Sequence, residues 1–236
     1  MAVAAIRTSS LTRDYGGGHG IFDLNLQVAA REAFGLLGPE GAGKTTTIRL
    51  LMGMIHPTRG SSYVFGLDCV REAVEVKRRV GYVPDRTPEF GAMRGGEIVA
   101  YLAGLRGGVH KDRVRELAER FDLNLSLRHR EYSRDDRQKL SIVLAFMHDP
   151  DLFILDDPTR DLDERGATAL YALIDEARTE GATILLTSRS AAEVERHCDV
   201  VGLLRRGKLS RVTRVEDLPG ELEEPSRKAL PPPPNK

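Results

Sequence analysis

One eight-residue segment constrains the fold of this chain more than any other part of the sequence. Residues 38–45 read GPEGAGKT and match the pattern G-x-x-x-x-G-K-[ST] at every fixed position. The segment follows the apolar run 33–37 and precedes TTTIRLLMGMI, whose apolar spacing predicts a helix. A glycine-rich turn between a strand and a helix directs backbone N–H groups and the helix N-terminus towards phosphate oxygens. The sequence therefore predicts a strand, a phosphate-binding loop and a helix, in that order.

The residue types in this loop each have a chemical reason. The glycines allow the backbone to turn inward around phosphate oxygens. Lys44 is expected to reach the β- and γ-phosphates of a nucleotide, and the Thr45 hydroxyl to bind Mg²⁺. The predicted phosphate-binding residues are Gly38, Pro39, Glu40, Gly41, Ala42, Gly43, Lys44, Thr45 and Thr46.

A second carboxylate is needed to complete the metal site. Residues 152–157 read LFILDD, an apolar run that ends in two acids. We expect Asp156 to hold Mg²⁺ through water and Asp157 to face the water that attacks the γ-phosphate. An apolar strand that ends in Asp-Asp is a weak signal alone, and the phosphate-binding loop makes it persuasive.

The charge balance and the cysteines exclude several classes of protein. The chain has 35 Lys and Arg against 35 Asp and Glu, so it offers no net positive charge for nucleic acid. Cys69 and Cys198 stand far apart without a metal-ligand pattern, which argues against a disulfide framework or a zinc site. The longest apolar run is too short for a membrane span, and the N-terminus does not resemble a secretory signal. We expect a cytosolic protein with no nucleic-acid partner.

The remaining sequence predicts an alternation of strands and helices. Residues 21–28 alternate apolar and polar side chains, which is typical of a strand, and 80–83 form another short strand. The segment 89–150 has helical character throughout. The runs 152–155 and 183–187 are strands joined by a helix, and a crossover of that length favours parallel pairing.

The end of the chain differs in composition. From residue 216 the sequence is polar, and it finishes in KALPPPPNK. Four consecutive prolines favour an extended polyproline conformation without a core. We expect 216–236 to be a disordered, solvated tail, with a partner-docking segment as the alternative.

Four stretches of the sequence together resemble a known family. The stretches GLLGPEGAGKTTTIRLLMGMIHPTRGSSYVFGLD, VGYVPD, HDPDLFILDDPT and VVGLLRRGKL resemble the nucleotide-binding subunits of ABC transporters. Among these, the chain most resembles the stand-alone ATPase subunits of ABC-2-type exporters. The resemblance covers about residues 5–215, which we expect to form a single ATP-binding domain.

The resemblance implies a fold and a set of partners. The fold is an α/β P-loop NTPase core with a parallel sheet, an antiparallel β-subdomain and an inserted helical subdomain at about 89–150. The family pattern places Tyr15 against adenine. It implies a homodimer or heterodimer in which each ATP lies between one chain's phosphate loop and the other's signature helix, which begins near Ser133 here. A separate membrane permease is expected to dock near 85–97, which would hold the chain at the inner face of the cell membrane.

This sequence departs from the family pattern at several catalytic positions. Asp85 replaces a glutamine that touches Mg²⁺ and water, and Asp157 replaces a glutamate. Arg189 replaces the switch histidine. The signature reads Ser133 followed by Arg-Asp-Asp at 134–136 instead of glycines, and its two acids would repel a triphosphate. Ser133 with an acid three residues later also predicts a helix capping box.

These departures leave two hypotheses open. Asp157 keeps a carboxylate but is one methylene shorter than glutamate, and Arg189 is able to contact a γ-phosphate as arginine fingers do. Asp85 is able to hold metal or water. We therefore expect an ATPase subunit that couples MgATP binding and slow or partner-dependent hydrolysis to export. The alternative is a nucleotide-sensing subunit that binds ATP and hydrolyses almost none of it.

Overall fold

The computed structural model describes residues 4–217. Within that range the chain forms strands and helices that alternate for most of its length. The strands are β1 (Ala4–Asp14), β2 (Gly20–Leu24), β3 (Gln27–Ala29), β4 (Ala33–Leu37), β5 (Arg59–Val64), β6 (Leu67–Asp68), β7 (Val80–Val83), β8 (Leu152–Asp156), β9 (Thr183–Ser188), β10 (Val200–Arg205) and β11 (Lys208–Arg214). The helices are α1 (Lys44–Leu51), α2 (Ala73–Arg79), α3 (Gly95–Leu105), α4 (Lys111–Arg120), α5 (Arg134–Phe146), α6 (Glu164–Thr179) and α7 (Ala191–His197).

The central layer is a six-stranded sheet in the order β11-β10-β4-β9-β8-β7. All its neighbouring strands run parallel except the hairpin between β10 and β11. Every residue of β4, β8 and β9 is buried. A parallel sheet covered on both faces requires such continuous apolar runs, which is the pattern seen in the sequence.

A second, antiparallel sheet lies next to the central one. Its order is β2-β1-β5-β6, with β3 paired to a different stretch of β1. The prediction of one strand over 21–28 is therefore wrong, because the segment forms two strands separated by a break. Just before the break, within β2, Asp23 has a left-handed backbone (φ 52°) and donates its N–H to the Thr12 hydroxyl at 3.0 Å. The Thr8 hydroxyl accepts the N–H of Leu26 at 2.8 Å, so polar side chains replace ladder bonds there.

Three helices form much of the segment 89–150, as its sequence predicts. It contains α3, α4 and α5, with a short 3₁₀ turn at His129–Glu131. Helix α5 begins at a capping box in which the Ser133 hydroxyl accepts the N–H of Asp136, as the spacing of these two residues predicts. Buried residues of α5 pack against the central sheet, so this helix joins the helical segment to the core.

Two apolar clusters hold these layers together. One joins the central sheet to α3–α6 on one side, and the other joins the central sheet to the antiparallel sheet and α1. The carboxyl ends of β4, β8 and β9 meet at one edge, which is where parallel α/β sheets bind ligands. Val215–Asp217 form a 3₁₀ turn, and the rest of the tail predicted over 216–236 lies outside the described residues. Among residues 4–217, no helix combines the length and apolar character needed to cross a bilayer.

Candidate nucleotide-binding and hydrolysis site

A cleft of about 420 Å³ opens at this edge of the central sheet. It is lined by the phosphate-binding loop, by the ends of the neighbouring strands and by the turn that follows β1. Eleven residues that the sequence singles out lie in its wall: Tyr15, Glu40, Gly41, Ala42, Gly43, Lys44, Thr45, Thr46, Asp85, Asp157 and Arg189. The fold thus brings most of the predicted site together within one chain.

The loop conformation depends on glycine at two positions. Gly43 caps α1 with φ 110°, which side chains of L-residues rarely adopt. A Cβ added at Gly38 would lie 2.4 Å from the Leu204 carbonyl oxygen of β10, so the backbones of the loop and β10 approach too closely for any side chain. These two constraints shape the turn that exposes N–H groups at the start of α1.

Lys44 is buried and is held by the loop that it serves. Its ammonium group donates to the Gly38 carbonyl at 2.7 Å and to the Pro39 carbonyl at 3.2 Å. Burial lowers the pKa of Lys44, and the negative charges of Asp157 and Asp156 oppose that effect. The carbonyl groups of Gly38 and Pro39 therefore position the lysine, although these two residues do not line the cleft.

Asp156 lies beneath the cleft and is fully buried. Its Oδ1 accepts the Thr187 hydroxyl at 2.6 Å, while its Oδ2 is buried without a hydrogen-bond partner among residues 4–217. Burial raises the pKa of Asp156, the Thr187 hydrogen bond lowers it, and the Thr45 hydroxyl lies close enough to lower it as well. An unpartnered carboxylate oxygen beside a threonine hydroxyl is a suitable donor set for a hard cation.

The oxygens of Asp156 and Thr45 fit Mg²⁺ better than they fit a metal ion that is coordinated by protein side chains alone. Among the described residues, no group of three His, Cys, Asp or Glu side chains is placed to hold a metal. Mg²⁺ usually keeps several waters and binds one or two protein oxygens together with substrate phosphates. Thr45 and Asp156 would supply those protein oxygens.

Asp157 occupies an unusual backbone conformation at the end of β8. Its φ is 46°, and its N–H donates to the Thr187 carbonyl at 3.2 Å and to the Thr187 hydroxyl at 3.1 Å. Burial raises the pKa of Asp157, and the positive charges of Lys44 and Arg189 oppose the rise. The carboxylate is thus held at the cleft in a strained position that the neighbouring strand stabilises.

Arg189 lies between two acids of the cleft. Its Nε is 3.8 Å from Asp157 Oδ2, and one of its terminal nitrogens is 3.9 Å from Glu40 Oε2. The structure thus places Arg189, which departs from the family pattern, in an ion pair with Glu40 of the phosphate loop. The Arg189 side chain is about half exposed and lines the cleft.

Two further predicted residues, Tyr15 and Asp85, line the cleft. Tyr15 is half exposed, and the Arg13 guanidinium lies over its ring at 4.9 Å from the centroid. One ring face is therefore covered by a cation. Asp85 follows β7, and its charge raises the pKa of Asp156, which places it on the metal side of the cleft.

Ser133 does not lie in the cleft of its own chain. Its hydroxyl donates to Asp136 Oδ2 at 2.6 Å, and Asp135 binds the Lys139 ammonium at 2.7 Å and the N–H of Asp163 at 3.0 Å. Both acids that we expected to face a phosphate are thus engaged by neighbours in the same chain. A nucleotide role for Ser133 requires a second subunit and stays a prediction.

Other residues that shape the site escape the sequence patterns. The Thr187 hydroxyl donates to the Asp156 carboxylate and accepts the backbone N–H of Asp157. The Gln138 side chain donates to the Pro158 carbonyl at 2.8 Å, and Glu193 accepts hydroxyl donors from three segments. The sequence signal for Thr187 was that it forms a polar pair with Ser188 at the end of the apolar strand β9. That pair becomes informative only when the partner of β9 in the sheet is known.

Comparisons with known proteins identify the family. The model of the ABC transporter family matches residues 21–160. The bacitracin transport ATP-binding protein BcrA of Enterococcus faecalis is 32% identical over 216 residues, covering 90% of this chain and 70% of its own. The Nod factor export ATP-binding protein I of Cupriavidus pinatubonensis is 34% identical over 220 residues, covering 91% and 68%.

Solved structures show the same architecture. The structure of an ATP-binding subunit of an ABC transporter superposes with a TM-score of 0.83 at 27% identity, over 90% of this chain and 91% of that one. A dimeric ATP-binding cassette solved with ADP and phosphate superposes with a TM-score of 0.76 at 19% identity, over 89% and 98%, which supports the fold alone. These matches confirm the P-loop NTPase fold and the predicted family. The chain belongs to the ABC transporter family, as one of its ATP-binding domains.

Proposed function

We propose that this chain is the ATP-binding subunit of an exporter and that it couples MgATP binding and slow hydrolysis to the movement of a separate membrane permease. The observation that carries the proposal is the cleft, which joins a glycine-dependent phosphate loop to a buried carboxylate with an unpartnered oxygen. The relatives named above are transport and export ATP-binding proteins, which supports the exporter class.

In this proposal the loop binds the phosphates and Lys44 neutralises the β- and γ-phosphates. Thr45 and Asp156 would hold Mg²⁺, which would supply charge stabilisation to the phosphates, and Asp85 would contact the metal or its water. Asp157 accepts a proton from the attacking water, and Arg189 contacts the γ-phosphate. Tyr15 stacks on adenine with its free face.

The binding half of the proposal is tested by equilibrium titration with MgATP. We expect Lys44→Ala to weaken binding by at least about tenfold, because a charge-assisted contact to phosphate is lost. Lys111→Ala, on the exposed helix α4, is the matched control and should bind like the wild type. Equal affinity in the wild type and Lys44→Ala would contradict the proposed site.

The permease is proposed to dock on an apolar groove of about 450 Å³ beside the cleft. The groove lies where the loop after β7 meets α3 and α5, and it overlaps the predicted docking segment 85–97 in sequence. Its apolar wall includes Met52, Met54, Pro84, Pro88, Phe90, Leu102 and Leu144. Asp85 lines both the groove and the nucleotide cleft, so a segment bound in the groove would reach the metal side of the cleft.

Docking is tested by co-purification of membrane proteins with the tagged chain from detergent-solubilised membranes. Met54→Glu places a charge in the groove and should abolish capture of the permease. Val212→Glu, an equally exposed apolar position on β11, should not. Capture that is equal in both variants would argue against this surface.

A second candidate function is a nucleotide sensor that scarcely hydrolyses ATP. The observation in its favour is the position of Arg189, whose guanidinium lies 3.8 Å from the carboxylate expected to act as base. An arginine so placed favours the ionised form of Asp157 and competes with water for its oxygens. Phosphate release separates the two functions.

A further inference from the structure

Glu193 stands at the third position of α7, whose N-cap is Ser190. A glutamate at this position commonly accepts the backbone N–H of the N-cap residue. Here the N–H of Ser190 donates instead to the Ser188 hydroxyl at 2.9 Å. The Glu193 carboxylate is therefore free of its usual local partner.

That carboxylate accepts hydroxyl donors from three separate segments. Oε1 accepts the Thr159 hydroxyl at 3.1 Å and the Tyr171 hydroxyl, and Oε2 accepts the Ser188 hydroxyl. These donors lie on the loop after β8, on α6 and at the end of β9. A carboxylate offers about four acceptor positions, so a single group is able to satisfy all three.

Tyr171 is itself fixed on two sides. Its ring stacks on the His197 ring of α7, with centroids 3.7 Å apart and an interplanar angle of 2°. Burial raises the pKa of the Tyr171 hydroxyl, and the Glu193 carboxylate raises it further, so the group remains a donor. Helices α6 and α7 are thus joined around the Glu193 carboxylate.

Two of the three donors are close in sequence to the groups that flank the proposed γ-phosphate position. Thr159 lies two residues after Asp157, and the N–H of Arg160 closes that turn on the Asp157 carbonyl at 3.2 Å. Ser188 directly precedes Arg189. The left-handed backbone of Asp157 persists only where neighbouring structure holds it.

We infer that Glu193 is the positioning residue of the γ-phosphate end of the cleft. It fixes the Asp157 turn and the start of the Arg189 segment relative to each other, and so sets the preference of the cleft for a nucleoside triphosphate over a diphosphate. The inference rests on the proposed function, which assigns that end of the cleft to the γ-phosphate.

The first test is amide hydrogen exchange, which needs no nucleotide. In Glu193→Ala the amides of Arg160, Leu162 and Ser190 should exchange about tenfold faster, because the side-chain bonds that hold their turns are lost. Tyr171→Phe, which removes one donor and keeps the ring, should give a smaller change. Glu195→Ala, an exposed acid on the same helix, should give none. Unchanged exchange at all three amides in Glu193→Ala would overturn the inference.

The second test compares the affinities for MgATP and MgADP. Glu193→Ala should lower the ratio of ATP to ADP affinity about five- to tenfold, with ADP affinity unchanged, since only the γ-phosphate contacts are displaced. Glu193→Gln keeps an acceptor oxygen and should restore part of the ratio. A purely structural role would weaken both nucleotides equally and would overturn the inference. Loss of all nucleotide binding in the wild type would instead contradict the proposed function, while the exchange result would still stand.

Discussion

At the scale of residues, Thr187 decides how the two acids at the end of β8 are held. Its hydroxyl donates to Asp156 and accepts the N–H of Asp157. A fixed backbone geometry gives the phosphate loop a recognisable spacing, so Lys44 and Thr45 are predictable from sequence. A threonine at the end of an apolar strand is common, so the role of Thr187 is not predictable from sequence. Contacts made between strands distant in sequence leave no local pattern.

Thr187→Val should destabilise the protein by about 2 kcal/mol. Valine has nearly the same shape, but it leaves the buried Asp156 carboxylate without its hydroxyl donor. Urea unfolding measures the change. Thr179→Val, where an exposed hydroxyl bonds only to its own helix, is the matched control and should cost less than about 0.5 kcal/mol. Equal effects in the two variants would show that the Asp156 contact is not what matters.

His148 should make stability fall in mild acid. Burial lowers its pKa to about 4, and the Arg106 guanidinium, 2.7 Å from its Nε2, contributes to the shift. His148 binds a proton near pH 6.5 in the unfolded chain and only near pH 4 in the folded chain. Between these two values the unfolded state binds more protons, so the free energy of unfolding is highest above pH 6.5 and falls as pH drops towards 4. The full effect is on the order of 3 kcal/mol.

Urea unfolding of His148→Gln between pH 7 and pH 4 checks this expectation. The variant should show a flatter dependence on pH than the wild type, whereas His56→Gln, at an exposed position, should keep the wild-type slope. Parallel curves for all three proteins would exclude His148 as the group responsible.

At the scale of elements, the predictions succeeded where periodicity and length agree. The apolar runs 152–155 and 183–187 are strands β8 and β9, and the helical stretches of 89–150 are helices. The prediction of one strand failed at 21–28, because the apolar and polar alternation continues through a break at 25–26, where the Thr8 hydroxyl of β1 accepts the Leu26 N–H. Side chains of one strand thus determined where the next strand ends.

The altered signature at the start of helix α5 has a structural role as the helix cap. Ser133→Ala removes the hydroxyl that accepts the Asp136 N–H and should cost about 1 kcal/mol in the free energy of unfolding. Because Ser133 lies outside the cleft of its own chain, MgATP affinity of the monomer should not change. Ser9→Ala on the exposed face of β1 is the control. A weaker affinity at full stability would place Ser133 at the nucleotide within one chain.

At the scale of the whole molecule, the fold gathers groups from the phosphate loop, the ends of β8 and β9 and the loop after β7 into one cleft. The fold class and most of the cleft wall were predictable, since they follow from the loop motif and the apolar runs. The contact between the Asp135 carboxylate and the N–H of Asp163 was not, because it depends on the start of α6 approaching α5 in three dimensions. Arg189 and the two signature acids form specific contacts, which supports our proposal that the site retains hydrolysis.

Steady-state phosphate release from MgATP tests that claim most directly. The account predicts turnover by the wild type clearly above that of Lys44→Ala. It predicts a further rise of about tenfold or more in Asp157→Glu, because the longer side chain brings the carboxylate about 1 Å closer to its preferred place. Wild-type release at the Lys44→Ala level would contradict hydrolysis by this chain and leave ATP as a ligand that it only senses.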